Sequence, residues 1–264
     1  MDYETITIVR KDAIATITMN RPENKNSLTP QVIDELVHVT SELSRDQETI
    51  VVILTGAGEE AFCVGADLKA QAVDGETWGS GKILWYARSI AQVQLNLRHM
   101  PQPVIGAING VAAGVGCTIA LACDIRIASE KARFRPGFGN IALHPEGGIT
   151  YLLPRLIGVS KALEILLTAR IIDAEEAEAL GLVRNIVSPQ ELLPAAKALA
   201  SQIAEGPPIV NSLIKQSVYQ GLDMDMIPAT DREGVINTLL FFSEDHQEGV
   251  NSLLEKRKPK FKGR

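Results

Sequence analysis

At 264 residues, with 45% hydrophobic and 22% charged residues, the chain has the composition of a soluble globular protein, long enough for one large domain or a domain plus an appendage. A net charge of −6 supplies no global attraction for nucleic acid or an anionic membrane, which excludes the simplest polyanion-binding classes. Cys63, Cys117 and Cys123 are odd in number and lack CxxC spacing, and the acidic, strand-like opening "MDYETITIVR" has no leader-like run, so reduced thiols and a cytoplasmic setting are expected.

In chain order, "TITIV" and "AIATITM" around "RKD" predict a hairpin. The polar loop "NRPENKNSL" leads to a helix near Pro30 to Ser44 with apolar positions Val32, Ile33, Leu36, Val37 and Leu43. "IVVILTG" has the form of a strand buried on both faces. The following "TGAGEEAF" matches GxGxxA, but a dinucleotide fold needs a helix starting there, whereas "AFCVGAD" favours extended chain and Gly65 breaks a helix. The segment "DGETWGSGK" (74–82) is Gly-rich and polar, the mark of a loop near a cleft.

From Val104 to Cys123 twenty residues carry no charge, roughly the length of a membrane span. Four glycines, Asn109 and the lack of a basic flank instead predict a buried strand, a Gly-rich turn and a buried helix. "PVIGAI" and "DIRIAS" repeat the strand form with helical patterns between, so the class is α/β with repeated strand–helix crossovers. Asp173 and Glu176 form a capping box for "AEEAEALG", closed by Gly181. Beyond about residue 190 only helical spacing remains, dividing the chain into an α/β core, 1–190, and a C-terminal helical region, 191–264.

For chemistry, the four histidines are scattered, and HExxH, Cys/His ligand spacing, GxSxG and GxxxxGK[ST] are all missing. The end "EKRKPKFKGR" has six basic residues in its last nine, either a solvated terminus or a contact for a polyanion such as RNA or a phosphate-bearing ligand. In "IALHPEGGIT", Glu146 stands between a proline and two glycines just before a helical run, where the local pattern alone makes it a cap. Two glycine-rich turns, "CVGADL" (63–68) and "NGVAAGVGCTIALACD" (109–124), each follow a buried strand. The second runs into a helix whose unpaired N–H groups favour negative charge. A further N–H from the first turn, aimed at the same point, would complete a two-donor oxyanion hole, although close strand–helix packing would demand the same glycines.

"NRPENKNSL", "AFCVGADL", "PVIGAINGVAAGVGCTIALACDIRIAS" and "SEDHQEGVNSLLEKRKPKFKGR", in this order and spacing over roughly residues 4 to 264, resemble the crotonase (enoyl-CoA hydratase/isomerase) superfamily. The resemblance implies a spiral of ββα units with a C-terminal helical region that serves oligomerisation. It implies a homotrimer or dimer of trimers, an acyl-CoA thioester as substrate, and no cofactor beyond the coenzyme A of that substrate. By position it assigns the oxyanion-hole N–H groups to Ala66 and Val115, and the CoA adenine to the Ala66–Asp67–Leu68 segment. Lys69 and, from a neighbouring subunit, Lys256 fall near the phosphates, which gives the basic tail a use other than RNA.

The sequence departs from the hydratases of that family at both glutamates that handle water: Thr118 and Phe138 occupy their positions. Glu146 aligns with a position where several isomerase branches carry an acid facing the acyl chain. One carboxylate suffices to move a proton from C2 to C4, so double-bond isomerisation is the expected reaction. Hydration, hydrolysis or decarboxylation by a rearranged site is the alternative, and a non-catalytic RNA- or partner-binding homologue the reading of another class. His144 has no assigned role, and Asp74, Glu76, Trp78, Trp85 and Tyr86 fall in the segment that shapes the acyl pocket in the family.

Overall fold

The computed structural model describes residues 2–68 and 80–264 of the chain. Strands β1 (Ile6–Lys11) and β2 (Ile14–Met19) pair antiparallel through a two-residue turn with Asp12 and Ala13 both at positive φ, 52° and 62°. The hairpin therefore turns one step later than "RKD" suggests, because a tight turn matched to strand twist needs two left-handed residues in succession.

Beyond the hairpin the chain winds as a spiral. β3 (Val51–Gly56), β5 (Val104–Ile108) and β7 (Ile125–Ser129) join β1, β2 and β10 (Asn185–Val187) in a six-stranded sheet of order β1-β2-β3-β5-β7-β10, parallel from β2 onward. Each of the three central strands is followed by a short strand of a second sheet: β4 (Ala61–Cys63), β6 (Val111–Ala113) and β8 (Arg133–Arg135), which pair parallel and are completed by antiparallel β9 (Ile172–Asp173). Helices return the chain: α1 (Pro30–Leu43) before β3, α2 (Ser80–His99) after β4, α3 (Val115–Ala122) after β6, and α4 (Ile149–Ile157) with α5 (Val159–Thr168) after β8.

The apolar run of β3 serves two layers. Val52 and Leu54 face the main core with α1 and α2, while Val51 and Ile53 pack with Ile105, Ala107 and Ile127 against Leu192, Ala196 and Ala200 of α7 (Leu192–Ala204). Between β9 and β10, α6 (Ala174–Ala179) is capped by Asp173, whose carboxylate accepts from the Glu176 N–H at 2.9 Å. The uncharged stretch 104–123 divides into β5, β6 and α3, and no described helix is long and apolar enough to cross a membrane.

The remaining helices, α8 (Pro208–Gly221), α9 (Met226–Leu240) and α10 (Glu244–Leu254), follow without a strand. A buried ion pair ties α8 to the sheet. Lys215 Nζ lies 2.8 Å from Asp124 Oδ2 and donates to the carbonyls of Leu97 and Gln102, while the Tyr219 hydroxyl donates to Asp124 Oδ1. Burial holds the Lys215 ammonium below its ordinary pKa.

Candidate active site

The polar loop before α1 builds the first glycine turn. Asn26, itself left-handed, receives the Arg21 N–H on its side-chain oxygen and donates to the carbonyls of Ala57 and Ala61. Arg21 and Ser27 then grip Asp67: the guanidinium lies 3.2 Å, and the Ser27 hydroxyl 2.9 Å, from Asp67 Oδ2. An isolated parallel bridge completes the hold, with Leu28 N–H donating to Gly65 O and Asp67 N–H to Leu28 O. This pattern spends the groups on either side of Ala66 and leaves its own N–H without an acceptor among the described residues.

The second turn ends at Gly114, whose N–H donates to Arg135 O, and Val115 begins α3. As the first helical residue it has no intrahelical acceptor for its N–H. The two turns are pressed together by glycines. A Cβ on Gly116 would lie 2.0 Å from Cys63 O; one on Gly65, already at φ +88°, would lie 2.8 Å from Ala113 O and 3.4 Å from Val115 N. Only hydrogen fits at these points, so the Val115 amide is seated directly against the residue that precedes Ala66.

Ala66 and Val115 line one cavity of about 1020 Å³, and Glu146 lines it too. Its walls are mostly apolar, with Leu68, Ile83, Tyr86, Phe138, Ile141 and Leu143. The Tyr86 side chain is buried and its hydroxyl donates to Leu28 O, linking the wall to the first turn.

Glu146 does not cap the following helix. α4 is entered at Gly148, at φ 90°, and no side chain caps it. The half-buried carboxylate has no hydrogen-bond or ion-pair partner among the described residues, and burial raises its pKa above the ordinary carboxylate value. Thr118, fully buried, donates its hydroxyl to Glu146 O at 3.2 Å, so this residue fastens the backbone that carries the acid. Phe138, 5% exposed, lines the cavity with a ring and offers no second carboxylate. Two unengaged amide donors and one desolvated acid in an apolar chamber are suited to holding charge that develops on an oxygen while a proton moves nearby.

The other expected residues are dispersed. Asp67 points to Arg21 and Ser27, while Leu68 is exposed at the cavity. Lys69, Asp74, Glu76 and Trp78 lie outside the described residues. His144 is exposed on the cavity lining, and Trp85 is exposed on α2. Lys256 follows α10, exposed and at φ 53°, and is not among the described residues lining this cavity of its own chain. Much of the basic tail is paired internally: Arg257 with Glu248 and Glu255, Lys258 with Glu205, and Lys262 and Arg264 with Glu244. Sequence reasoning missed the work of Arg21, Asn26 and Ser27. Their signal was a run of hydrogen-bonding side chains around a tight turn, which looks like any solvated loop until Asp67 is placed beside it.

The enoyl-CoA hydratase/isomerase family model matches residues 9–264. The short-chain-enoyl-CoA hydratase of Clostridium acetobutylicum is 36% identical over 262 residues, covering 98% of this chain and 97% of that one. The 1,2-epoxyphenylacetyl-CoA isomerase of Escherichia coli is 35% identical over 251 residues, covering 95% of each. A crystal structure of enoyl-CoA hydratase from Bacillus anthracis matches the fold with a TM-score of 0.95 at 36% identity, over 99% of this chain and 100% of that one.

Proposed function

Because the chain belongs to the enoyl-CoA hydratase/isomerase family, we propose that it shifts the double bond of an enoyl-CoA thioester with Glu146 as its single proton-moving acid. The Ala66 and Val115 N–H groups hold the thioester oxygen as it becomes an enolate. Glu146 removes a proton from C2 of a 3-enoyl ester and the electron pair moves through C1 to place charge on the thioester oxygen; as that charge returns, a C2–C3 double bond forms and the former C3–C4 pair takes the proton back from the same acid at C4. Proton and electrons balance without a co-reactant. The observation that carries this reading is the isolation of Glu146 in an apolar wall, with Thr118 and Phe138 at the positions where a second acid would be needed to manage water. A carboxylate with a raised pKa both takes and returns a proton more readily near neutral pH.

Coenzyme A enters only as part of the substrate, its adenine against Ala66–Leu68 and its phosphates near Lys69 and a neighbouring subunit's Lys256. No metal or redox cofactor takes part. Exposed apolar side chains on the last helices and the turn between them, among them Met226, Ile227, Leu239, Phe242, Leu253 and Leu254, support assembly into a homotrimer or dimer of trimers. Light scattering is expected to return three or six chain masses; a monomer at micromolar concentration would overturn the assembly.

A second reading, hydration, is favoured by relatives that are named hydratases, including the (E)-benzylidenesuccinyl-CoA hydratase of Thauera aromatica at 36% identity. Incubating 2- and 3-enoyl-CoAs in D2O separates the two. Isomerisation with solvent exchange gives products of substrate mass plus deuterium, whereas hydration adds the mass of water. Loss of exchange in Glu146→Gln, with CoA-ester binding retained, is expected. Undiminished exchange in that variant would sink Glu146 as the base.

A further inference from the structure

The lining of the Glu146 cavity carries one permanent cation among the described residues, Arg135 at the end of β8. Its basic neighbours in sequence are engaged elsewhere: Arg133 donates to the carbonyls of Glu130 and Ala132, and Lys131 pairs with Glu59 at 2.6 Å. The exposed Arg135 guanidinium has no ion-pair or hydrogen-bond partner among the described residues. A solvated arginine on an open surface needs none. This one stands on the lining of a mostly apolar chamber, where a charge is less screened.

The backbone fixes where that charge sits. β8 pairs parallel with β6, so Arg135 lies in register with Ala113, and its carbonyl accepts from the Gly114 N–H at 2.8 Å. Adjacent strands run about 4.8 Å apart, and Val115 follows Ala113 by two residues, about 7 Å at most. The Arg135 α-carbon is therefore within about 12 Å of the Val115 amide. From there the side chain runs along Gly137, where a Cβ would stand 3.8 Å from its Cγ and 4.0 Å from its Nε. Glu146 does not claim this charge. No ion pair joins the two among the described residues, and burial alone shifts the Glu146 pKa.

We propose that Arg135 determines which acyl group the cavity prefers: it pairs with a carboxylate at the far end of the acyl chain, so the favoured substrate is a dicarboxylic acid joined to coenzyme A at one end. This rests on the reading of the cavity as an acyl-CoA site. Guanidinium and carboxylate meet through two parallel N–H···O bonds, which fix orientation as well as charge. Apolar walls, among them Phe138, Ile141 and Leu143, receive the methylene chain. The same anionic chemistry is present in the coenzyme's phosphates. Those lie a full pantetheine arm from the thioester, whereas Arg135 is anchored beside the turn that holds the thioester oxygen.

Saturated esters test this by binding alone, whatever reaction the cavity performs. Calorimetry on the full chain compares glutaryl- and adipyl-CoA with pentanoyl- and hexanoyl-CoA, which match them in carbon count. Arg135→Gln is expected to weaken binding of the two carboxylate-bearing esters at least tenfold and of the two neutral ones less than twofold. Arg135→Lys, which keeps the charge but not the paired donors, should fall between. Because the side chain is exposed, little packing is at stake in either variant. Equal weakening of all four esters would mean that Arg135 reads a coenzyme phosphate, and would overturn the proposal, as would no weakening of any. Failure of all four to bind wild type would instead bring down the acyl-CoA reading, and this proposal with it.

Discussion

The two halves of the candidate active site are built by opposite means. Around Ala66 and Val115 everything is fixed several times over: two glycines admit no side chain, Asp67 is gripped by Arg21 and Ser27, and Leu28 bridges Gly65 and Asp67. The segment leading to Glu146 is loose by comparison. Residues 139–144 are exposed, Ala142 is left-handed, and one threonine hydroxyl is the side-chain tie to the backbone at the acid. On the proposed reading, the part that would hold developing charge is made of backbone, which a side-chain substitution cannot easily remove. The part that would select the reaction is a single side chain on a short loop, so the chemistry could change while the charge-holding frame stands.

The most severe way to break this contrast is to disturb the rigid half. Gly116→Ala forces a methyl into Cys63 O, and the Val115 amide must move. Loss of one such donor costs about 10²–10³ in kcat, and overpacking of this kind costs about 1–3 kcal/mol of stability. Steady-state kinetics beside a circular-dichroism melt would read both, and a variant with normal turnover would show that the frame is not as fixed as its contacts imply.

Glu146→Gln tests the yielding half and should separate activity from stability. Turnover is expected to fall by about 10²–10⁴, the usual worth of a general acid–base group. Its folded-state pKa is raised by burial, so the folded protein holds that proton more tightly than the unfolded chain does. Stability associated with Glu146 therefore falls as pH rises from the ordinary carboxylate value through the raised one, then levels off. The glutamine variant should consequently melt higher at neutral pH, on the order of 2 °C, with the advantage vanishing in acid. In wild type, kcat should fall with decreasing pH through that same raised pKa. An acid limb centred at or below the ordinary carboxylate value would contradict the assignment.

Smaller effects sharpen the comparison further. Ser27→Ala removes one of the donors on Asp67 while Arg21 remains, so a loss of about 1 kcal/mol, or roughly fivefold in kcat/KM, is expected. Thr118→Val keeps the shape and deletes the bond to Glu146 O. Because the loop has little else to hold it, kcat should drop a few-fold, about 1 kcal/mol or less, with KM nearly unchanged. A larger effect at Ser27 than at Gly116 would invert the proposed hierarchy.

These contrasts explain what could be read before the coordinates. Strands such as Val51–Gly56 and Val104–Ile108 declare themselves because burial on both faces demands an unbroken apolar run. The glycine turns are legible as turns, yet packing and anion binding require the same residue, and only the unengaged Ala66 N–H distinguishes them. Glu146 was visible as an oddity, but its helix begins two residues later at a glycine, which no local pattern fixes. Arg21 and Ser27 stayed hidden because each acts on a residue 40 or more positions away, a proximity that periodicity does not encode.

The Lys215–Asp124 pair bears on any attempt to trim the protein to a minimal catalytic unit. Stopping the chain ahead of α8 would remove both Lys215 and the Tyr219 hydroxyl, leaving a carboxylate at the head of the central strand β7 with the Val104 N–H as its hydrogen-bond donor and no ion-pair contact among the described residues. An unpaired interior charge of that kind is expensive. The terminal helices are thus an electrostatic keystone of the spiral, and a shortened version would need Asp124→Asn, and some replacement for the lost apolar cover, before it could be expected to keep its fold.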